Sequence, residues 1–382
     1  MNCYIKIDST NKAKQDIDTL MAGMGFRNIA VRGVGGRKAE TFLRKVFSLV
    51  HSLFVLKRGD VLVMQYPYKK FYALQCRAAR LKGAHTITLI HDLGTFRRRK
   101  LTAPQEMRRL SHTDYIIAHN DRMKQWLVEH GRDGSTVGTL GIFDYLSKSQ
   151  ISNFKSQIKK YPSQGSGVSS VSPSETDNRE KRKEKRESQS SLPFGEGWGE
   201  APLRGMAGAE RSVIYAGGLW EKKNAFLYDA SDELEGCVMD LYGSGNLDSS
   251  RFGKNIRYHG RIDSDEFIAM DKSGWGLVWD GDSCDGCGGI WGEYLKLNNP
   301  HKCSFYLRAG LPVIVWSQSA MADFVLGNKV GIAVERLADI PQALAVIGAE
   351  EYRAIAANVA QMQRRLNEGY YFRKAMEEEF KN

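Results

Sequence analysis

Short, largely apolar runs bounded by turn residues alternate along the chain with segments of helical periodicity. In the first part, residues 3–7, 61–65, 86–91 and 115–118 read as strands, and residues 13–24, 71–82, 104–111 and 121–129 as helices. Strands without polar alternation are those a sheet buries on both faces, so the pattern predicts a parallel sheet flanked by helices. The rhythm stops near Ser147 and restarts with strands at 212–215, 238–242, 256–258, 275–279 and 313–316, and with helices from about 223, at 264–270 and at 302–309. Two more helices, 350–366 and 371–380, are separated by Gly369. The expected organisation is a Rossmann-like domain at 1–146, a low-complexity linker or insertion at 147–210, a second Rossmann-like domain at 211–348, and helices at 349–382 that brace the two domains.

Composition narrows this picture without redirecting it. The 382 residues are 42% hydrophobic and 26% charged, the balance of a soluble globular protein. The longest apolar run, 46–56, is interrupted by Ser48, His51 and Ser52. It is far shorter than the roughly 20 residues a membrane span needs. The first ten residues read as a strand rather than a signal peptide, so a cytoplasmic location is expected. Lys and Arg outnumber Asp and Glu by 55 to 44, giving a net charge of +11 and pointing to an anionic partner. Charge alone does not choose among a nucleotide, nucleic acid and acidic lipid. Residues 172–191 carry a basic run mixed with acids and read as a solvated tract. The six cysteines read as free thiols; Cys284 and Cys287 are spaced C-x-x-C, but His301 and Cys303 complete no common zinc pattern.

In open parallel sheets, ligands bind beyond the carboxyl ends of the strands. Four such places carry candidate chemistry. Ser9, Thr10 and Asn11 follow the first strand, where a sugar or phosphate contact and a plain helix cap are equal readings. His91 and Asp92 follow the 86–90 run, where a carboxylate beside an imidazole is suited to taking a proton from a hydroxyl. Arg97 to Lys100 are four consecutive cations, matching either an anionic lipid surface or a solvated loop. Gly217 and Gly218, before Lys223, form a two-glycine turn through which backbone can approach a diphosphate; Tyr242 and Tyr258 end later strands and offer rings for a base. The densest segment is Asn298-Asn299-Pro300-His301-Lys302, where Pro300 starts a helix. A lysine in a first helical turn opposes the helix dipole, which a bound phosphate would explain.

These residues resemble the beta-1,6-galactofuranosyltransferase and glucosyltransferase 3-like family of bacterial sugar transferases. The resemblance rests on Lys12-Ala13-Lys14 with Asp16, His91-Asp92-Leu93 with Arg97, Asp114 through Asn120 with Met123, and Phe143-Asp144-Tyr145. It continues through Tyr215-Ala216-Gly217, Tyr242-Gly243, Tyr258 with Gly260, and the 298–302 block with Tyr306-Leu307 and Gly310-Leu311-Pro312. It implies an α/β fold of the GT-B type, two Rossmann-like domains facing a cleft. It further implies a uridine diphosphate sugar donor, with Lys302 neutralising the diphosphate and Lys223 and Tyr258 as further nucleotide contacts. Gly217, Gly218, Tyr242, Asn299 and His301 join that donor set. Ser9, Asn11, His91 and Arg97 would line the acceptor side, with Asp92 as the catalytic base.

No cofactor and no metal are implied, because protein cations replace a metal at the leaving diphosphate. Asp280 and Asp282 have D-x-D spacing but lie in a Gly- and Cys-rich region. Departures from the family are the 147–210 segment and the insertion at 283–292. The expected function is transfer of a hexose, galactofuranose or glucose, to a hydroxyl of a surface-glycan precursor, free or lipid-linked. A non-catalytic nucleotide-sugar-binding subunit is the alternative. Peripheral contact with the inner face of the cell membrane and a homo-oligomer are further expectations; a nucleic-acid partner is not. A nicotinamide-dependent oxidoreductase is disfavoured because neither half carries the Gly-rich fingerprint with its ribose-binding acid.

Overall fold

The computed structural model describes residues 1–6, 9, 11–30, 38–68, 71–97, 99–152, 211–270 and 272–381, with the side chains of 38–45 and 381 excepted. Asp8, Thr10, Arg98 and nearly all of the 147–210 segment therefore lie outside the described residues. The first lobe is a sheet of β1 (Asn2–Tyr4), β2 (Arg27–Asn28), β3 (Val61–Tyr66), β4 (His85–Ile90), β5 (Tyr115–Ala118) and β6 (Val137–Thr139). The second contains β7 (Ser212–Leu219), β8 (Val238–Gly245), β9 (Ile256–Gly260), β10 (Trp275–Val278), β11 (Val313–Trp316) and β12 (Gly331–Val334). Their orders are β2-β1-β3-β4-β5-β6 and β12-β11-β10-β7-β8-β9. Every pairing is parallel, so all carboxyl ends of a sheet share one edge.

The absence of polar alternation has a direct cause. In β3, Leu62, Met64 and Tyr66 enter one core while Val63 enters the other, so both faces are buried. Three short strands, β2, β6 and β12, were not anticipated; β2 is the two-residue pair Arg27-Asn28, exposed and without an apolar signature. The apolar run at 46–56 largely belongs to an unanticipated helix, Lys38–Val55. No described helix is long and apolar enough to cross a membrane.

The chain ends in two helices, Ala349–Glu368 and Tyr370–Lys381. Between them Gly369 adopts φ +74°, and a Cβ there would sit 2.0 Å from Leu20 Cδ2. Glycine is required on both counts, left-handed backbone and close approach. The last helix starts on a carboxylate from far away in sequence: Asp144 accepts from the amides of Tyr371 at 3.1 Å and Phe372 at 2.8 Å. The Tyr145 amide donates to Leu366 O at 3.0 Å. Leu366, Phe372 and Met376 share one apolar cluster with Ile17 and Leu20 of the first lobe and with Leu307 of the second.

Burial raises the Asp144 carboxyl to about 7 even though the two amides favour its charged form. A raised folded pKa means the native state holds the proton longer, so this group's contribution to stability is lost as pH rises from about 4 to about 7. Asp144→Asn is expected to flatten that slope. Asp144→Ala, which leaves two amides without their acceptor, is expected to cost about 2 kcal/mol in urea unfolding.

Candidate active site

Helix His301–Arg308 begins after Pro300, whose fixed φ of −65° sets the extended N-cap. Lys302, in its first turn, points into its own lobe. Its ammonium lies 2.9 Å from Asp280 Oδ1 and 3.3 Å from Trp279 O, and it donates to the Tyr215 hydroxyl. Lys223 takes the other carboxylate oxygen of Asp280 at 3.1 Å and lies over the Trp291 ring. Asn224 Nδ2 and the Tyr215 hydroxyl complete the surroundings of Asp280 Oδ1, at 3.4 and 3.2 Å. The dipole opposition that suggested a phosphate thus already has a resident counter-charge, which is a correction to the sequence argument. Two ammonium groups against one carboxylate still leave the cluster with one net positive charge.

Electrostatics here are set by burial first. Burial pushes the Asp280 carboxyl up, but Lys223 and Lys302 together outweigh it and hold it below its ordinary value. Burial brings Lys302 down to about 8, with Lys223 pushing the same way and Asp280 opposing. Burial and then Asp280 drive the Tyr215 hydroxyl well above its usual range. Asp280 is spent on two lysines, and a Cβ on Gly288 would lie 2.4 Å from Asp282 Oδ1, so the two acids of the D-x-D spacing have separate surroundings. Among the described residues, no group of three or more His, Cys, Asp or Glu is placed to hold a metal. The six cysteines are buried free thiols.

The two glycines form no turn. Gly217 and Gly218 are exposed residues of β7, paired with Gly243 and Ser244 of β8. The strands continue because side chains are missing: a Cβ on Gly243 would lie 1.9 Å from Gly217 O. Lys302 Cε lies 3.5 Å from where a Cβ on Gly217 would stand, so the glycine backbone borders the largely buried lysine at the strand edge. Tyr242 is buried, stacked on His259 at 4.6 Å and hydrogen-bonded by Lys272. Tyr258 is 44% exposed, its hydroxyl donating to Gly243 O at 3.0 Å. Gly217, Gly218 and Tyr258 thus offer exposed surface near the strand ends, while Tyr242 is engaged inside.

Asn299 is fully engaged between the lobes. Its amide N–H donates to His119 Nδ1 at 2.9 Å, its Nδ2 donates to His119 O at 2.7 Å and Gly141 O at 2.9 Å, and its Oδ1 accepts from Asn120 Nδ2 at 2.6 Å. His119 therefore carries its proton on Nε2, which donates to Ile90 O at 3.1 Å. Burial lowers its pKa to about 3, keeping the ring neutral. A second crossing joins the Leu93 amide to the Tyr294 hydroxyl at 3.0 Å, beside stacked Phe96 and Tyr294 rings. His301 stacks on Tyr145 at 4.9 Å; burial, then Lys12, lower it to about 3, and its Nε2 is buried with no hydrogen-bond partner among the described residues. Tyr294, His119 and Asn120 were not assigned roles from sequence; each is a polar group at a strand or helix end, visible only once the lobes meet.

On the first lobe, Asp92 pairs with Arg97 and is 20% exposed. Glu106 holds the loop that carries them, accepting from the Thr95 amide at 2.6 Å and the Tyr66 hydroxyl at 2.5 Å. His91 is buried, its Nε2 2.7 Å from Gln65 Oε1 and its ring stacked on Phe143 at 5.1 Å; burial, then Lys14, hold it neutral. It supports the strand end rather than facing a hydroxyl. The Ser9 hydroxyl accepts from the Asn11 amide at 3.1 Å, and Asn11 precedes helix Lys12–Gly23 without a side-chain cap. Of the expected residues, Lys223 and Lys302 come together with Gly217, and Asp92 with Arg97; His91 and Asn299 have other work.

The family model for the glucosyltransferase 3-like N-terminal domain matches residues 4–142, and that for the C-terminal domain matches residues 213–379. The chain is 28% identical over 383 residues to beta-1,6-galactofuranosyltransferase WbbI of Escherichia coli K12, covering 98% of this chain and 95% of WbbI. Among solved structures, Anabaena HepE in complex with UDP and glucose matches with a TM-score of 0.53 at 11% identity, over 100% of this chain and 99% of HepE. The lipopolysaccharide outer core galactosyltransferase WaaB, in its apo form, matches with a TM-score of 0.54 at 9% identity, over 99% of each chain. At such identities both speak for the fold, the two-lobed GT-B architecture.

Asn299→Asp keeps the side chain's size but sets an acceptor against the carbonyls of His119 and Gly141. A destabilisation of about 3 kcal/mol is expected, larger than for Asn299→Ala, with the two lobes unfolding in separate calorimetric transitions.

Proposed function

This chain belongs to the glucosyltransferase 3-like family, and from that premise we propose that it transfers a hexose, galactofuranose or glucose, from a uridine diphosphate sugar to a hydroxyl of a glycan or lipid-linked saccharide. The observation that carries the donor half is the pair Lys223 and Lys302 on one carboxylate at the strand ends, beside exposed Gly217. A diphosphate entering there meets a net positive cluster in a poorly screened setting, where charge stabilisation of a leaving group is most effective. Lys302 exchanges its Asp280 contact for phosphate oxygen, and Lys223 keeps Asp280 compensated. These cations make a metal unnecessary for departure of the diphosphate. His301 Nε2, buried and without a hydrogen-bond partner among the described residues, is left for the sugar or phosphate, and Tyr258 offers an open ring to the base.

The acceptor half rests on Asp92, which the Arg97 contact orients at the end of β4. As general base it takes the acceptor hydroxyl's proton while the hydroxyl oxygen forms the new glycosidic bond and the diphosphate leaves. The nearby Ser9 and Asn11 backbone turn lines the same edge of the sheet. The expected membrane contact through residues 97–100 loses Arg97 to Asp92, leaving Arg99 and Lys100 exposed.

Calorimetry with uridine diphosphate checks the donor site. Lys302→Ala is expected to weaken binding by about tenfold to a hundredfold; unchanged affinity would remove the assignment. Because Lys302 loses its proton near pH 8 in the free protein, kcat/KM should fall as pH rises through that value, and Lys302→Arg should move the limb upward. Asp92→Asn is expected to keep uridine diphosphate binding and lose at least about a hundredfold in transfer. If wild type binds the donor but releases no diphosphate in the presence of lipid-linked or free acceptors, the non-catalytic subunit becomes the better reading.

A further inference from the structure

Helix Lys38–Val55 is packed with its polarity reversed over its second half. The inward side includes Ser48 and Ser52, both buried. Ser52 Oγ donates to Leu49 O at 2.6 Å and accepts from Gln75 Nε2 at 2.7 Å. The outward side carries Phe47, Val50 and Phe54, 58%, 43% and 82% exposed, a spacing of i, i+3, i+7 that makes one stripe. A water-facing helix places these residue types the other way round, so the stripe marks a surface that is covered in use.

The surrounding charge says by what. The helix runs into the loop before β3, and in a parallel sheet the loops before β3, β4, β5 and β6 lie at one end. This end is opposite to the strand ends that carry Asp92 and His119. Lys57, Arg58 and Lys82 are exposed there, with Leu81 at 82% exposure beside them. The first two loops touch, the Gly59 amide donating to Gly83 O at 2.9 Å. Farther along the same end, a groove of about 520 Å³ is lined by Arg80, Arg108, His130 and Arg132 together with Asp114 and Asp133. Three of the acids at this end are used locally, Asp60 by the Met1 amino group, Asp114 by Arg80 and Thr86, and Asp133 by the Ser135 amide, while Glu378 and Glu379 of the last helix lie on the Tyr115 and His85 side, away from Lys57 and Arg58 in sequence and pairing.

We infer that this end of the first lobe docks on the headgroup region of an anionic lipid bilayer, Phe47, Val50 and Phe54 entering the interface while Lys57, Arg58 and Lys82 meet lipid phosphates. Apolar insertion combined with cation attraction is the physics of an interfacial helix. A second copy of the chain on the same stripe would set these cations against their own images, whereas an acidic bilayer supplies the complementary charge. The surface is distinct from the 97–100 run. Docking through it leaves the opposite, ligand-bearing strand ends free, and it stands or falls independently of the transferase reading.

Flotation of the full chain with vesicles tests it, one set of phosphatidylcholine alone and one containing phosphatidylglycerol. Binding is expected to the acidic set only, and to weaken as salt is raised. Phe47→Ser/Phe54→Ser and, separately, Lys57→Glu/Arg58→Glu should each reduce partitioning by about tenfold or more. All four positions are exposed, so the unfolding midpoint should stay at the wild-type value, which serves as the folding check. No binding, equal binding to both vesicle types, variants that partition like wild type, or a dimer that Phe54→Ser dissociates in sedimentation would each overturn the inference.

Discussion

Two ammonium groups, Lys223 and Lys302, close on the single buried carboxylate of Asp280, and the ligand end of the second lobe is organised around that contact. A buried carboxylate left alone would cost several kcal/mol, and a buried ammonium the same, so neither is tolerated without the other. The contact ties the end of β10 to the start of helix His301–Arg308 and, through Tyr215, to β7. Three elements far apart in sequence are thereby held at one strand edge. The cluster is a structural clamp, and under the proposed function its surplus of one positive charge is what a diphosphate meets.

The five residues 298–302 divide their work by direction. Asn299 reaches across to His119, Asn120 and Gly141; His301 lies against Tyr145; Lys302 turns back into its own lobe. A single helix start therefore sets both the contact between the lobes and the position of the Lys302 ammonium. The proline before it narrows the backbone's choices where those directions diverge. Any shift of this helix start moves Asn299 and Lys302 together, so under the proposed function donor binding and lobe position are coupled without a separate device.

Much of the fold is legible in the residues because its strands are buried on both faces. Val61–Tyr66 and Tyr115–Ala118 are almost wholly apolar, and no helix pattern competes with them. What stays hidden has physical reasons. Arg27-Asn28 lies at a sheet edge with both side chains polar and exposed, so they carry no apolar signal. Gly217-Gly218 resembles a turn because glycine marks both tight turns and close strand contacts, and only the partner Gly243 distinguishes them. Asp280 has only an uninformative D-x-D spacing in sequence until the fold brings Lys223 and Lys302 to it. His91 stands beside Asp92 in sequence, but adjacent residues leaving a strand diverge, which sends the imidazole to Gln65 and the carboxylate to Arg97. The site was therefore legible as a set of residue types at strand ends, and its pairings were not.

The net charge of +11 left nucleotide and lipid equally open as partners, and the placement of the cations separates two settings. At the carboxyl ends of the strands they are paired with carboxylates and partly withdrawn from water: Lys12 on Asp16, Arg97 on Asp92, Lys223 and Lys302 on Asp280. Such groups act at contact range, since their field is largely cancelled by the partner, and they exchange that partner only for a ligand that offers comparable charge. At the amino ends of the first sheet, Lys57, Arg58 and Lys82 stand in exposed loops, and their field extends about a Debye length into solvent. Contact-range charge selects a compact anion, and extended charge attracts a broad one. Under the two proposals the same excess of Lys and Arg serves two kinds of recognition, one at the carboxyl ends of the strands and one at the amino ends of the first sheet, and whether a carboxylate already stands beside the cation decides which.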